Sequence, residues 1–540
     1  MICGIRTRES APAGVAAARR HRAIVLLLVG LLTALLHTGC ASWSKTREEV
    51  VNPIHELLHH SYPEALESGE VSNLEALFSD AAPGAATAPS LELMASFETI
   101  EDARSTIERV NLEEEPARAV VTLQVEGIGI DGQLRSVLQE KEMSVRRGEA
   151  GWRIHSDLPT PVRVAPTPGT HFVDEAQLRG LHFQHAASRV PDANGTPKTF
   201  IYGSGVAASD VDNDGWDDVL LLREDRIELF LNRRGNFTRA SKQWGLGRPT
   251  ARVLTTALPF DYDNDGWTDL FVGAEFGQPL LLRNEGDRFR EVGGSGIRST
   301  ERTISAVAAD FDGDGALDLF LANHEDVYLE APDPPGSAEN AHADQLFLNN
   351  GDGSFRDATE DSGIDNRGWS LAPVAADYDL DGDLDLFVGN DFGTDKLYRN
   401  DGSAHFEEVS TQAGVDKPVA SMSADWGDYD GDGDFDLFIG GMKSNSAWVL
   451  EVPDFRIDRV PRLVDWLFRP YVRSAVRAWF RGNRFYENQG DGTFLEVSEG
   501  SGAENSGWAW GTVWLDFDND GRLDLYGSNG FLSGPLEDDL

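Results

Sequence analysis

The stretch that decides the fold reads Asp377-Tyr378-Asp379-Leu380-Asp381-Gly382-Asp383-Leu384-Asp385, followed at once by Leu386-Phe387-Val388-Gly389. The same phrase, D-x-D-x-D-G-x-x-D and then an apolar run, begins six times in the chain, at Asp210, Asp261, Asp310, Asp377, Asp428 and Asp516. Alternate residues of a tight loop can point carboxylates inward, and a hard cation such as Ca²⁺ takes six to eight oxygens at about 2.3–2.6 Å. Positions 1, 3, 5 and 9 of each phrase are therefore expected to supply ligands. They are Asp210, Asp212, Asp214 and Asp218; Asp261, Asp263, Asp265 and Asp269; Asp310, Asp312, Asp314 and Asp318; Asp377, Asp379, Asp381 and Asp385; Asp428, Asp430, Asp432 and Asp436; and Asp516, Asp518, Asp520 and Asp524. A backbone carbonyl at position 7 would add an oxygen, which leaves that side chain free to vary among Trp216, Trp267, Ala316, Asp383, Asp434 and Arg522. Glycine at position 6 admits the positive φ of a sharp turn.

The first five positions also suit an EF-hand, but that loop needs a bidentate Glu at position 12. Here position 12 is Leu221, Val272, Leu321, Val388, Ile439 or Gly527. The flanking text, such as Thr-Asp-Leu-Phe-Val-Gly and Phe-Asp-Leu-Phe-Ile-Gly, reads as short strands and not as amphipathic helices.

Successive phrases start 51, 49, 67, 51 and 88 residues apart, a base period of about fifty. Each unit has a small-residue strand leading into the loop, then the apolar strand. A third run ends in an N-x-G-type turn, as in Leu346-Phe-Leu-Asn-Asn-Gly-Asp-Gly-Ser-Phe355 and Phe485-Tyr-Glu-Asn-Gln-Gly-Asp-Gly-Thr-Phe494. Such a turn between strands signals a hairpin. Four strands per fifty residues, repeated, predicts a mainly β chain: a β-propeller of six four-stranded blades, or an incomplete seven. Thr170-His-Phe-Val-Asp-Glu-Ala176 resembles the fourth-strand text yet stands before the first loop, so it is positioned to complete a blade begun at the other end of the chain.

On these residues, together with Asn390-Asp-Phe-Gly, Trp426-Gly-Asp-Tyr-Asp, Gly507-Trp-Ala-Trp-Gly511 and Ser528-Asn-Gly-Phe531, the chain from about 169 to 540 resembles the FG-GAP/VCBS repeat family. That family is kin to the integrin α-subunit propeller, and the ASPIC/UnbV and cartilage-acidic-protein-like group is the nearest flavour. The resemblance implies that the loop aspartates bind Ca²⁺, at about six sites.

Of the 91 acidic residues, 27 lie in the six loops, and with 47 basic residues the net charge is −44, a surface that disfavours nucleic acid as a partner. Residues 1–39 read as an export signal: Arg19-Arg20-His21-Arg22, then a mostly apolar run from Ala23 to Leu36, too short for an ordinary membrane span. His37-Thr38-Gly39-Cys40 resembles a lipobox, which makes Cys40 the expected lipidation site and the anchor to a membrane; a plainly cleaved signal and an uncleaved anchor are the other readings. Ala41 leans, by resemblance to the sorting rule, toward the bacterial outer membrane. The other cysteine, Cys3, would leave with the signal, so calcium takes on the cross-linking that disulfides supply in many exported proteins.

Residues 40–157 carry no aspartate loop. Helical text from Lys45 to Ser79 precedes alternating strands at Ala119–Glu126, Val137–Val145 and Gly151-Trp-Arg-Ile-His155, a pattern similar to the SnoaL-like α+β cone. The proline-rich stretch 158–168 reads as an extended linker and 169–540 as the propeller. An insertion at 442–483 carries Arg469, Arg473, Arg477 and Arg481 every four residues beside apolar Phe468, Val472, Val476 and Trp479, a basic amphipathic helix suited to an acidic surface, its own or a partner's.

Two function classes remain. One is a calcium-rigidified binding or adhesion scaffold in the cell envelope, taking a protein or glycan ligand; the other is an extracytoplasmic hydrolase or lyase on the same frame. No G-x-S-x-G elbow or thiol nucleophile stands in the mature chain, and its histidines, His182 and His185 included, form no catalytic constellation. No catalytic residue is therefore assigned.

Overall fold

The computed structural model describes residues 52–78, 88–111, 116–130, 134–148, 151–159, 163–165, 175–183, 189–191, 197–199, 205–442 and 481–529, with 224, 251, 276, 300, 326–329, 331, 334–336, 505–508 and 518 excepted. Cys40 with its signal, and the arginine helix apart from Arg481, lie outside these residues. Described residues up to Ala165 form one compact unit and those from Glu175 onward another.

The first unit is α+β. Short helices, among them Tyr62–Glu67, Val71–Glu75 and Ala88–Met94, precede an antiparallel sheet in the order β1 (Phe97–Asn111), β2 (Ala117–Gly129), β3 (Leu134–Gly148) and β4 (Gly151–Pro159). β1 was not legible in the text, because its buried side chains Ala103, Ser105, Ile107 and Val110 lose alternation at a register shift between Ile107 and Arg109. A fifth strand, β5 (Arg163–Ala165), pairs with Ser136–Leu138 of β3, so part of the proline-rich stretch is extended and also tied to this sheet. Leu58, Tyr62, Leu66, Val121, Leu123, Val125, Val145 and Ile154, each fully buried, centre its core.

The second unit is built of four-stranded antiparallel sheets of the propeller-blade kind. Blade I comprises Val206–Ser209, Asp218–Arg223, Arg226–Asn232 and Phe237–Arg239; blade II, Leu254–Phe260, Asp269–Ala274, Leu280–Asn284 and Phe289–Glu291; blade III, Arg302–Ala309, Asp318–His324, Gln345–Asn349 and Phe355–Asp357. Blade IV comprises Ser370–Ala376, Asp385–Asn390, Lys396–Asn400 and Phe406–Glu408; blade V, Ser421–Gly427, Asp436–Gly441, Arg484–Asn488 and Phe494–Glu496. The sixth unit contributes a two-stranded sheet, Ala509–Leu515 with Asp524–Asn529, among the described residues.

Each acidic phrase is the turn between first and second strands. The second strands of blades II to V are buried at every position, which is why they read as unbroken apolar runs. Phe271, Phe320, Phe387 and Phe438 are sealed completely, and truncating any one would cost about 3–5 kcal/mol. Small residues crowd the first strands because neighbouring blades approach closely there. A Cβ on Gly389 of blade IV would stand 2.9 Å from the Ser421 side chain of blade V.

The turn at Glu175–Gly180 packs on blade I, where the Phe237 N–H donates to the Arg179 carbonyl at 2.7 Å. Phe289 N–H donates to Trp244 O at 2.9 Å and Phe355 N–H to Ser295 O at 2.6 Å in the same way, so this segment stands to blade I as the segments after blades I and II stand to blades II and III. Its preceding residues, 170–174, lie outside the described set.

Candidate metal centres

Each acidic loop folds on its own backbone. The position-1 carboxylate accepts the N–H groups of positions 5 and 6: Asp210 from Asp214 and Gly215, Asp261 from Asp265 and Gly266, Asp310 from Asp314 and Gly315. Asp377 accepts from Gly382, Asp428 from Asp432 and Gly433, and Asp516 from Asp520 and Gly521. One oxygen of position 5 accepts the N–H of position 7, as Asp214 does from Trp216, Asp265 from Trp267, Asp314 from Ala316, Asp381 from Asp383, Asp432 from Asp434 and Asp520 from Arg522.

Two residues per loop turn through positive φ, where the text pointed to one. Position 6 is Gly in every loop, with φ between +85° and +100°. Position 4 is also left-handed: Asn213, Asn264, Gly313, Leu380, Gly431 and Asn519. Asparagine or glycine at position 4 of five loops, beyond the defining glycines, was the available signal.

Position 9 is the buried floor. Asp218, Asp269, Asp318, Asp385 and Asp436 are at most 2 % exposed, and each accepts two backbone N–H groups. For Asp385 these come from Tyr378 at 3.3 Å and Asn400 at 2.8 Å. Burial pushes these carboxyls up, Asp218 and Asp436 to about 6, Asp269, Asp318 and Asp385 to about 7, while the N–H donors pull the other way. A cation beside such a group offsets its desolvation.

Carboxylate oxygens converge within 4.8 Å of one another in five groups: Asp210, Asp212 and Asp218; Asp261, Asp263 and Asp265; Asp310, Asp312 and Asp318; Asp377, Asp379 and Asp385; Asp428, Asp430 and Asp436. Several of these clusters could hold a metal ion. The donor set fits one: the position-3 oxygens Asp212 Oδ1, Asp263 Oδ1, Asp312 Oδ1 and Asp379 Oδ1 are buried with no hydrogen-bond partner. An orphaned acceptor of this kind costs free energy unless something cationic meets it. In the sixth loop Asp518 lies outside the described residues; Asp516 and Asp520 keep the contacts of the other loops, and Asp524, half-buried, accepts the Phe517 N–H.

The text did not reveal the asparagine of the N-x-G turn as part of the site. Asn232, Asn284, Asn349, Asn400 and Asn488 each donate their backbone N–H to the position-9 aspartate of their own blade. From blade II onward the side-chain amide reaches back to the position-2 carbonyl of the preceding loop, Asn284 to Val211, Asn349 to Tyr262, Asn400 to Phe311 and Asn488 to Tyr378, all at 2.8 Å. Position 4 makes the opposite link, Asn213 to Gly266 O at 3.1 Å and Asn264 to Gly315 O at 3.0 Å. Loops I to V are thus one hydrogen-bonded row.

The first unit holds a separate polar cluster. Lys141 and Asp157, both with fully buried side chains, pair at 2.7 Å; Ser90 donates to the same Asp157 oxygen, and Tyr62 and Ser90 share a 2.7 Å hydrogen bond. Desolvation lowers the Lys141 ammonium and Asp157 partly restores it.

The FG-GAP-like repeat family matches residues 261–321, 336–388, 377–439 and 474–527. Human cartilage acidic protein 1 is 24 % identical over 393 residues, covering 63 % of this chain and 58 % of its own length; the mouse protein is also 24 % identical, with 59 % of its length covered. The chain therefore spans about six-tenths of the length of these curated relatives. Among solved structures, an Agrocybe aegerita lectin described as recognising non-reducing terminal N-acetylglucosamine aligns over 61 % of this chain and 75 % of its own, at 17 % identity and a TM-score of 0.36.

Proposed function

Because this chain carries FG-GAP-like repeats and is homologous to cartilage acidic protein 1, we propose that it is an interaction scaffold whose blades are stiffened by Ca²⁺ at the acidic loops. The observation that supports this best is the recurrence, at one place in successive blades, of converging carboxylates with a buried, unpartnered position-3 oxygen. Hard oxygen donors in a flexible loop suit Ca²⁺ better than a softer transition metal. Binding there ties position 1, at the end of the first strand, to position 9, at the start of the second. It also stiffens, through the asparagines, the neighbouring blade.

Rigid blades present many loops at fixed spacing, which suits recognition of a protein or glycan ligand. The export signal and Cys40 would hold this scaffold in a bacterial cell envelope; among the described residues, no helix is long and apolar enough to cross a membrane.

Thermal unfolding with and without calcium tests the proposal. If the metal binds with the roughly 10⁻⁴–10⁻³ M affinity of extracellular modules, millimolar Ca²⁺ raises the melting temperature and a chelator reverses the rise. An unchanged melting curve would remove the structural role. Radiolabelled palmitate carried by the parent and lost in Cys40→Ser tests the anchor, and a calcium-dependent glycan array and envelope pull-down test the ligand class.

A further inference from the structure

Loops I and II hold a side chain inside the ligand cluster, and loops III and V do not. In blade I the Arg233 guanidinium lies 2.5 Å from Asp212 Oδ2 and 2.8 Å from Asp214 Oδ2. In blade II the Arg283 guanidinium lies 2.9 Å from Asp263 Oδ2 and 2.9 Å from Asp265 Oδ2. Both therefore grip positions 3 and 5. They arrive by different routes, since Arg233 follows the third-strand asparagine Asn232, whereas Arg283 precedes Asn284.

The matching positions elsewhere show the contrast. Blade III has Leu348 and Asn350. Blade IV has Arg399 at the place of Arg283, but its guanidinium pairs with Glu407 at 2.7 Å and acts on Asp379 of loop IV only through its charge, without an ion pair to the loop among the described residues. Blade V has Glu487, which adds a carboxylate beside loop V and accepts the Tyr429 hydroxyl at 3.0 Å.

We infer that Arg233 and Arg283 are tethered cations that share the position-3 and position-5 oxygens with the metal, making loops I and II a weak class of calcium site and loops III to V a tight class. This rests on the reading of the loops as calcium sites. A guanidinium neutralises the carboxylates that attract a divalent ion, and its N–H groups occupy the lone pairs the ion needs. Both side chains are about half exposed, 48 % and 47 %, so each can swing into water when the ion arrives. Loops I and II are thereby held together at low calcium, and filling them releases two positive charges to the surface.

Position 7 provides a local reporter, because it is tryptophan only in loops I and II, as Trp216 and Trp267. Calcium-stripped full-length chain would be titrated with Ca²⁺ by calorimetry and with Tb³⁺ by tryptophan-sensitised emission. Trp216→Phe and Trp267→Phe assign the emission that belongs to these two loops. The expectation is two classes of site, with Arg233→Gln/Arg283→Gln tightening the weak class about tenfold and leaving the tight class unchanged, while Arg233→Lys/Arg283→Lys stays near the parent. Circular dichroism confirms that the variants fold. Calcium binding whose affinities are indifferent to the glutamine substitutions overturns the tethered-cation inference alone. No calcium binding in parent or variants overturns the underlying reading as well.

Discussion

Asn400, on the third strand of blade IV, donates its side-chain amide to the carbonyl of Phe311, the residue after the first aspartate of loop III, at 2.8 Å across 89 residues of chain. Its backbone N–H meanwhile donates to Asp385, the last aspartate of its own loop. One residue therefore reads two consecutive loops.

Asn400→Ala removes the amide bonds to Phe311 O, which keeps only the Ala404 N–H, and to the part-buried Leu384 O, and takes away the Oδ1 that accepts the Gly402 N–H. A loss of about 2–3 kcal/mol is expected in urea unfolding. Calcium binding at loop III should weaken although Asn400 is no ligand, and a calcium titration that leaves this site unmoved would show that the tie is merely structural.

Leu380 is the misfit of the loops. It occupies the left-handed position 4 with φ +58° and a side chain 55 % exposed, where three other loops have asparagine and two have glycine. Leu380→Asn should stabilise the chain by about 0.5–1 kcal/mol, since the αL conformation penalises a Cβ-branching or bulky residue more than it does asparagine. Chemical denaturation at fixed calcium measures the gain.

Asp395 gives the blades a pH dependence away from the loops. It is buried, accepts the Asn390 N–H at 2.8 Å and the Ser421 hydroxyl, and burial pushes its carboxyl up to about 7 against those bonds. An unfolded aspartate titrates near ~3.9, so between about pH 4 and pH 7 the fold retains a proton that the unfolded chain has released, and this residue's contribution to stability falls as pH rises. Asn483 fills the same place in blade V, its Oδ1 accepting the Gly441 N–H at 3.0 Å. Asp395→Asn should therefore fold normally and melt a few degrees above the parent at pH 8, the difference shrinking toward pH 4.

The Lys141–Asp157 pair makes an asymmetric prediction. Asp157→Ala strands a buried ammonium and should cost about 3–5 kcal/mol, whereas Lys141→Met with Asp157→Leu should recover most of that loss. Unfolding of the two variants beside the parent decides it; equal damage in both would mean that the pair specifies this core in a way apolar residues cannot replace.

Local chemistry was legible where it repeats within nine residues. The acidic phrase announced its loop, the apolar run its buried second strand, and the N-x-G turn its hairpin, because each depends on neighbours in the chain. Across blades the text fell silent: the acceptors of Asn349, Asn400 and Asn488 lie 87, 89 and 110 residues away. The Lys141–Asp157 pair was hidden for another reason, since β3 and β4 must pair before their side chains meet. β1 escaped because a register shift spoils the alternation that identifies a half-buried strand.

The backward reach of these asparagines gives the array a direction. For these bonds a unit emerging from the ribosome finds its acceptor already made in the unit before it, and supplies the acceptor for the one to come, while the position-4 links of Asn213 and Asn264 wait for the next loop. Duplication or loss of a whole unit keeps every donor matched to a carbonyl, whereas a cut inside a unit strands both. Gene rearrangements that vary the number of blades should accordingly break in register with the fifty-residue period.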